Sequence, residues 1–118
     1  LNELESAVFR ALRQKPTPDP LSRLHRACHR GNASMLEQAL RDGEDPNAAE
    51  LVRGFTPVHY LMESVGLGGP RLAMLEQLIR AGADVRVRTL LGDTALDIAV
   101  REGVDAAILA RLRQLGAP

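Results

Sequence analysis

Three groups of residues in this chain have the side-chain chemistry and the spacing of a reactive site. His25, Cys28 and His29 fall at i, i+3 and i+4. On a helix that spacing turns all three to one side, where imidazole and thiolate could grip zinc. A closed zinc site takes four ligands, and His59 repeats the place of His25 in a second copy of the motif without any such cluster. The histidines are therefore expected to be structural, with no metal and no other cofactor. Gly66, Gly68 and Gly69 have the glycine density of a phosphate loop, but the Lys-Ser/Thr that would follow is missing and no strand precedes them. They read as a turn insertion. Asp93, Asp97 and Glu102 are carboxylates spread along the last third of the chain, and nothing sets a base beside a nucleophile. No catalytic residue is expected, and the chain is read as non-enzymatic.

Composition narrows the remaining classes. The 118 residues are 45% hydrophobic, enough for one domain with a continuous core. Charged residues make up 25% and cancel to a net charge of zero, so no global field draws the chain to nucleic acid or a membrane. Phe9, Phe55 and Tyr60 are the only aromatic residues, too few for a base-stacking surface. Lys15 is the single lysine among fifteen basic residues, and arginine favours planar contact with carboxylates. One cysteine makes no internal disulfide, and no signal peptide or membrane-length apolar run is present. A cytoplasmic or nuclear setting is expected, and a chain that opens on Leu1 reads as a piece of something longer.

The elements that must position these residues are helical. Leu1, Leu4, Val8 and Leu12 give residues 1–14 an amphipathic stripe, a flanking helix expected to pack on the next segment or cap the domain. Residues 15–20 carry three prolines at alternate positions, a semi-rigid connector. The central pattern is Gly54-Phe55-Thr56-Pro57-Val58-His59-Tyr60. Thr56 suits an N-cap, and Pro57 suits the first helical turn because its missing N–H would be unpaired there anyway. Related starts at Ser22 and Thr94 lie 34 residues before and 38 residues after it. Each start leads into two apolar-periodic helices; the first pair ends at Gly43, the second runs to Gly82, and the third passes Gly103 and reaches Leu115. About seven helices are expected in all.

A repeating unit of about 33 residues, a turn and two helices opening on T-P-L-H-x-A, is the ankyrin signature. From residue 21 to residue 117 the chain resembles an ankyrin-repeat protein, with units at about 21–53, 54–91 and 92–118. It departs from the pattern at Ser22-Arg23, at Asp97, where histidine would stand, in a connector one residue longer after Gly43, and in the insertion at 66–70. The resemblance implies an all-α solenoid of stacked helix–turn–helix units with short β-turn fingers. Units of this kind cannot hide their apolar side alone, so Leu24, Val58 and Leu96 are expected to form one buried ladder. Leu40, Ile79 and Leu112 are expected to form another.

The resemblance also implies a concave protein-binding surface made of finger tips and the exposed side of the first helices. It assigns structural roles to His25, Thr56, Pro57, His59 and Thr94. Mapped onto this sequence, the binding surface comprises Leu51, Val52, Arg53 and Phe55 with Glu50 in one finger. Arg86, Arg88, Leu90, Leu91 and Asp93 form the next. His29, Arg30, Glu63, Ser64, Arg101 and Glu102 come from the helices. Apolar pairs ringed by arginines suit a partner protein that presents an acidic, hydrophobic segment. In Val85-Arg86-Val87-Arg88 the alternation turns the valines to the stack and the arginines outward. No small-molecule substrate is expected. The alternative is a regulatory or substrate-recruiting segment of a larger enzyme, of ligase or kinase type.

Overall fold

Ser22, Thr56 and Thr94 each start a helix by the same device, a reciprocal exchange with the residue three places on. The Ser22 hydroxyl accepts from the His25 N–H at 3.2 Å, and His25 Nδ1 accepts from the Ser22 N–H at 3.2 Å. At Thr56 the amide donates to His59 Nδ1 at 2.9 Å. Asp97 plays the same part for Thr94, taking its N–H at 2.9 Å and returning its own at 3.2 Å. Two free donors of the helix start are thereby satisfied.

The computed structural model describes residues 21–64 and 70–116. Among these lie six α-helices and no strand: α1 (Arg23–Arg30), α2 (Ala33–Arg41), α3 (Pro57–Glu63), α4 (Pro70–Arg80), α5 (Ala95–Glu102) and α6 (Ala106–Gln114). The amphipathic stretch 1–14, the connector 15–20 and most of the 66–70 insertion lie outside the described residues. Each odd-numbered helix pairs with the helix after it. The odd helices pack on one another in order, α1 on α3 and α3 on α5, and the even helices do the same. The result is two layers of helices with one continuous core between them.

Leu24 and Val58 line that core as expected, while Leu96 is only partly buried at its edge. No further helix packs over α5 among the described residues, so its outer side stays partly open. In the even layer Leu112 is buried, but Leu40 and Ile79 are only partly covered. Leu36, Leu75 and Ile108 carry that ladder instead. The expected residues sit one position beyond Ala39 and Leu78, and one helical step turns a side chain by about 100°, here from the interior to the rim.

Between the units the chain makes two hairpin-like turns, or fingers. In the first, Glu50 N–H donates to the Phe55 carbonyl at 2.9 Å; in the second, Thr89 N–H donates to the Asp93 carbonyl at 2.8 Å. The fingers are joined by Leu90 N–H to the Arg53 carbonyl at 2.9 Å. Glu50 and Thr89 each lie seven residues after a glycine that follows an even helix, Gly43 and Gly82. The extra residue of the longer connector is thus accommodated at the tip of the first finger.

Gly54 stands where the fingers touch. Its φ is +71°, and a Cβ there would lie 3.0 Å from both the amide nitrogen and Cγ of Leu90. Gly92, at the matching place in the second finger, has φ +85° with open space around it. Left-handed strain penalises both glycines, but only Gly54 adds a clash with backbone. Gly54→Ala is expected to cost about 2 kcal/mol and Gly92→Ala about 1 kcal/mol, measured by urea unfolding. Equal losses would show that the fingers yield freely at Gly54.

Candidate protein-binding cleft between the fingers

The first finger is shaped by a buried carboxylate. Glu50, only 4% exposed, accepts the N–H groups of Val52, Arg53 and Phe55 at 3.0, 2.7 and 3.1 Å. Burial pushes its pKa up, yet those three donors outweigh burial and hold the group below its ordinary value. In the second finger the Thr89 hydroxyl fills the same office, accepting from Leu91 at 3.3 Å and Asp93 at 3.2 Å.

The base of each finger is held by the helix of the unit before it. His25 Nε2 donates to the Phe55 carbonyl at 2.9 Å, and His59 Nε2 donates to the Val87 carbonyl at 3.0 Å. Since each Nδ1 accepts a backbone N–H, the proton of the neutral ring must sit on Nε2. Burial lowers the pKa of His59, against the opposing pull of the Val87 carbonyl. Asp97 keeps the helix-start exchange of the third motif but has no second donor with which to hold another finger. Cys28 is fully buried, with its thiol pushed up to about 12 by burial, and His29 is exposed. The three residues at zinc-like spacing therefore face a carbonyl, the core and solvent respectively.

Held this way, the fingers enclose a cleft of about 330 Å³ lined by Val52, Phe55, Leu90, Leu91 and Ile98, with Arg53, Arg101, Glu63, Asp93 and Glu102 around them. The finger-tip residues are strongly exposed, Leu51 87%, Val52 73%, Leu90 71% and Leu91 88%, and of these Leu51 lies outside the cleft lining. Phe55, expected at the surface, is instead buried against Tyr60, with ring centroids 5.2 Å apart. The Arg53 guanidinium lies 3.8 Å above the Phe55 ring. An aromatic side chain at a finger base finds a ring and a cation to cover it, so it forms part of the floor rather than a tip.

Arg53 is bound on both of its Nη atoms by Glu63 at 3.0 and 3.1 Å, a contact that raises its pKa. Arg101 meets Asp93 at 2.8 Å, and its pKa is raised by that bond. Three expected binding arginines lie outside the cleft lining. Arg86 turns back to Asp84 at 3.2 Å, and Arg88 donates to the Gly92 carbonyl at 2.9 Å. Val85 is buried and Val87 partly so, with both arginines exposed, which matches the expected alternation. Arg30 is exposed at the end of α1, also outside the lining.

Ser64, expected on the groove side, is buried and donates to the Cys28 carbonyl at 2.7 Å, tying the ends of α3 and α1 together. The expected structural residues Thr56, Pro57 and Thr94 are buried at their helix starts. Sequence reasoning missed Ile98 as part of the floor; its signal was its place four residues after the Thr94 cap. It also missed the turn-forming role of Glu50, which its distance from Gly43 could have revealed. Among the described residues no group of three or more His, Cys, Asp or Glu is arranged to hold a metal ion, and no helix is long and apolar enough to cross a membrane.

No protein-family model matches the chain. No curated protein matches it either.

Proposed function

We propose that the chain is an ankyrin-repeat protein-interaction module, a short solenoid of about three units. It holds a segment of another protein in the cleft between its fingers and catalyses no reaction itself. The observation that carries this reading is that Leu51, Val52, Leu90 and Leu91 are all exposed at the tips and that three of them, Val52, Leu90 and Leu91, line a cleft floored by Phe55 and Ile98. Exposed apolar side chains gathered beside a concave floor with a charged rim have the anatomy of a protein interface. The unit spacing, the three reciprocal helix starts and the two finger-holding histidines support the repeat assignment. A cytoplasmic or nuclear place of action accords with a single cysteine buried as a free thiol.

The test is a display selection of random peptides on the intact chain, followed by affinity measurement on the double variant Leu51→Ser with Leu91→Ser. Both side chains are exposed, so the melting temperature is expected to stay within a degree or two, about 0.5 kcal/mol of stability. Selected peptides are expected to lose at least about 2 kcal/mol of binding free energy, as on loss of an interface anchor. Selected peptides that bind the double variant as tightly as the original chain would place the interface elsewhere.

A further inference from the structure

We infer that the cleft prefers an apolar partner segment carrying lysine or arginine over one carrying carboxylates. This rests on the cleft being the binding site and concerns which partner it takes. The sequence expectation was an acidic, hydrophobic segment, with Glu50, Glu63, Asp93 and Glu102 noted as carboxylates that could engage the same arginines.

Two cations and three carboxylates surround the cleft: Arg53 and Arg101 against Glu63, Asp93 and Glu102. Arg53 has both Nη atoms on Glu63 and its face on Phe55 at 3.8 Å, so its charge is already met within the chain. Arg101 Nη2 is engaged by Asp93 at 2.8 Å. A partner carboxylate could reach the remaining N–H donors of Arg101, but it would meet a rim of three carboxylates against two arginines and would face Glu102, which forms no ion pair among the described residues. A partner ammonium or guanidinium displaces nothing. It finds Glu102 exposed and in no salt bridge among the described residues, and each paired carboxylate retains lone pairs, since a carboxylate offers about four acceptor sites. A partner whose apolar side chains cover Val52, Leu90 and Leu91 would shield the contact from water and strengthen it relative to an open surface pair. The cleft therefore discriminates by charge sign through Glu102, while the leucines and valine supply sequence-tolerant burial.

The test uses the full chain and two short synthetic peptides with identical leucine spacing, one bearing arginines and the other glutamates at the remaining positions. The arginine peptide is expected to bind about tenfold more tightly at low salt, with the gap shrinking as salt is raised. Glu102→Gln is expected to weaken the arginine peptide several-fold and leave the glutamate peptide unchanged or stronger. If the glutamate peptide binds equally or better, and Leu51→Ser with Leu91→Ser weakens both, the charge preference is overturned and the cleft remains the binding site. If neither peptide responds to the double serine variant, or neither binds, the cleft reading itself falls and this inference with it. Concentration-dependent self-association abolished by the double serine variant would assign the tips to a second copy of the chain and overturn the proposal.

Discussion

Leu61→Ala is expected to destabilise the fold by about 2–5 kcal/mol, measured by chemical denaturation. Leu61 is fully buried on α3, the helix that packs against α1 on one side, α5 on the other and α4 behind. Truncation leaves a void between elements that each depend on α3 for their own coverage, so little collapse can fill it. A domain of this size has about 5–15 kcal/mol in total, so the variant should lose a large share of its stability. The matched control is Leu91→Ala, the same truncation at an exposed tip, expected to change stability by less than about 0.5 kcal/mol. A Leu61 loss below about 1 kcal/mol would mean that the two layers are not packed as one core.

Glu50→Ala is expected to cost about 2–3 kcal/mol, through three backbone donors that lose one charged acceptor. The loss should be local, showing as faster hydrogen exchange at Val52, Arg53 and Phe55 before the helices respond. A sign follows for pH as well. Because the three N–H groups, against the upward push of burial, hold Glu50 below its ordinary 4.5, its contribution is complete above that value. It fades as pH falls through the lower folded value. His59 acts earlier: burial depresses its pKa below the ordinary 6.5, so its contribution is present above 6.5 and begins to be lost as pH falls beneath it. Stability measured against pH should therefore decline in two stages. Glu50→Gln should flatten the lower stage and spare the upper. A variant with an unchanged acid limb would show that the finger is held by something other than this carboxylate.

Helix starts and stops were legible in the sequence because they rest on local chemistry. Ser22, Thr56 and Thr94 cap through neighbours three residues away, and Gly31 and Gly103 end their helices at φ +69°. The alternation in Val85-Arg86-Val87-Arg88 was readable for the same reason. The cleft was only half legible. Its tip leucines and valine could be named, since an apolar residue in a turn has little core to fill. The carboxylates able to engage the arginines could be named, but not which pairs form, because pairing Arg53 with Glu63 joins a finger to a helix across ten positions and has no sequence period. Phe55 was placed at the surface for a similar reason. Its cover comes from Arg53 above and Tyr60 beside it, and that arrangement exists only after the turn has closed.

The fingers are fastened at their bases, by main-chain bonds to Glu50 and Thr89 and by the two imidazoles beneath them. Those bonds do not involve the side chains at positions 51, 52, 90 and 91, and of these four only Leu90 packs close to the other finger, at Gly54. Their identities can drift without endangering the fold, while any change at Glu50, His25 or His59 is felt at once by selection for a folded chain. If the tips bind a partner as proposed, foldedness and specificity are written in separate letters of the same short turn. A lineage could then exchange one ligand for another by rewriting a few codons, and a protein engineer could randomise the same positions on a scaffold that stays intact.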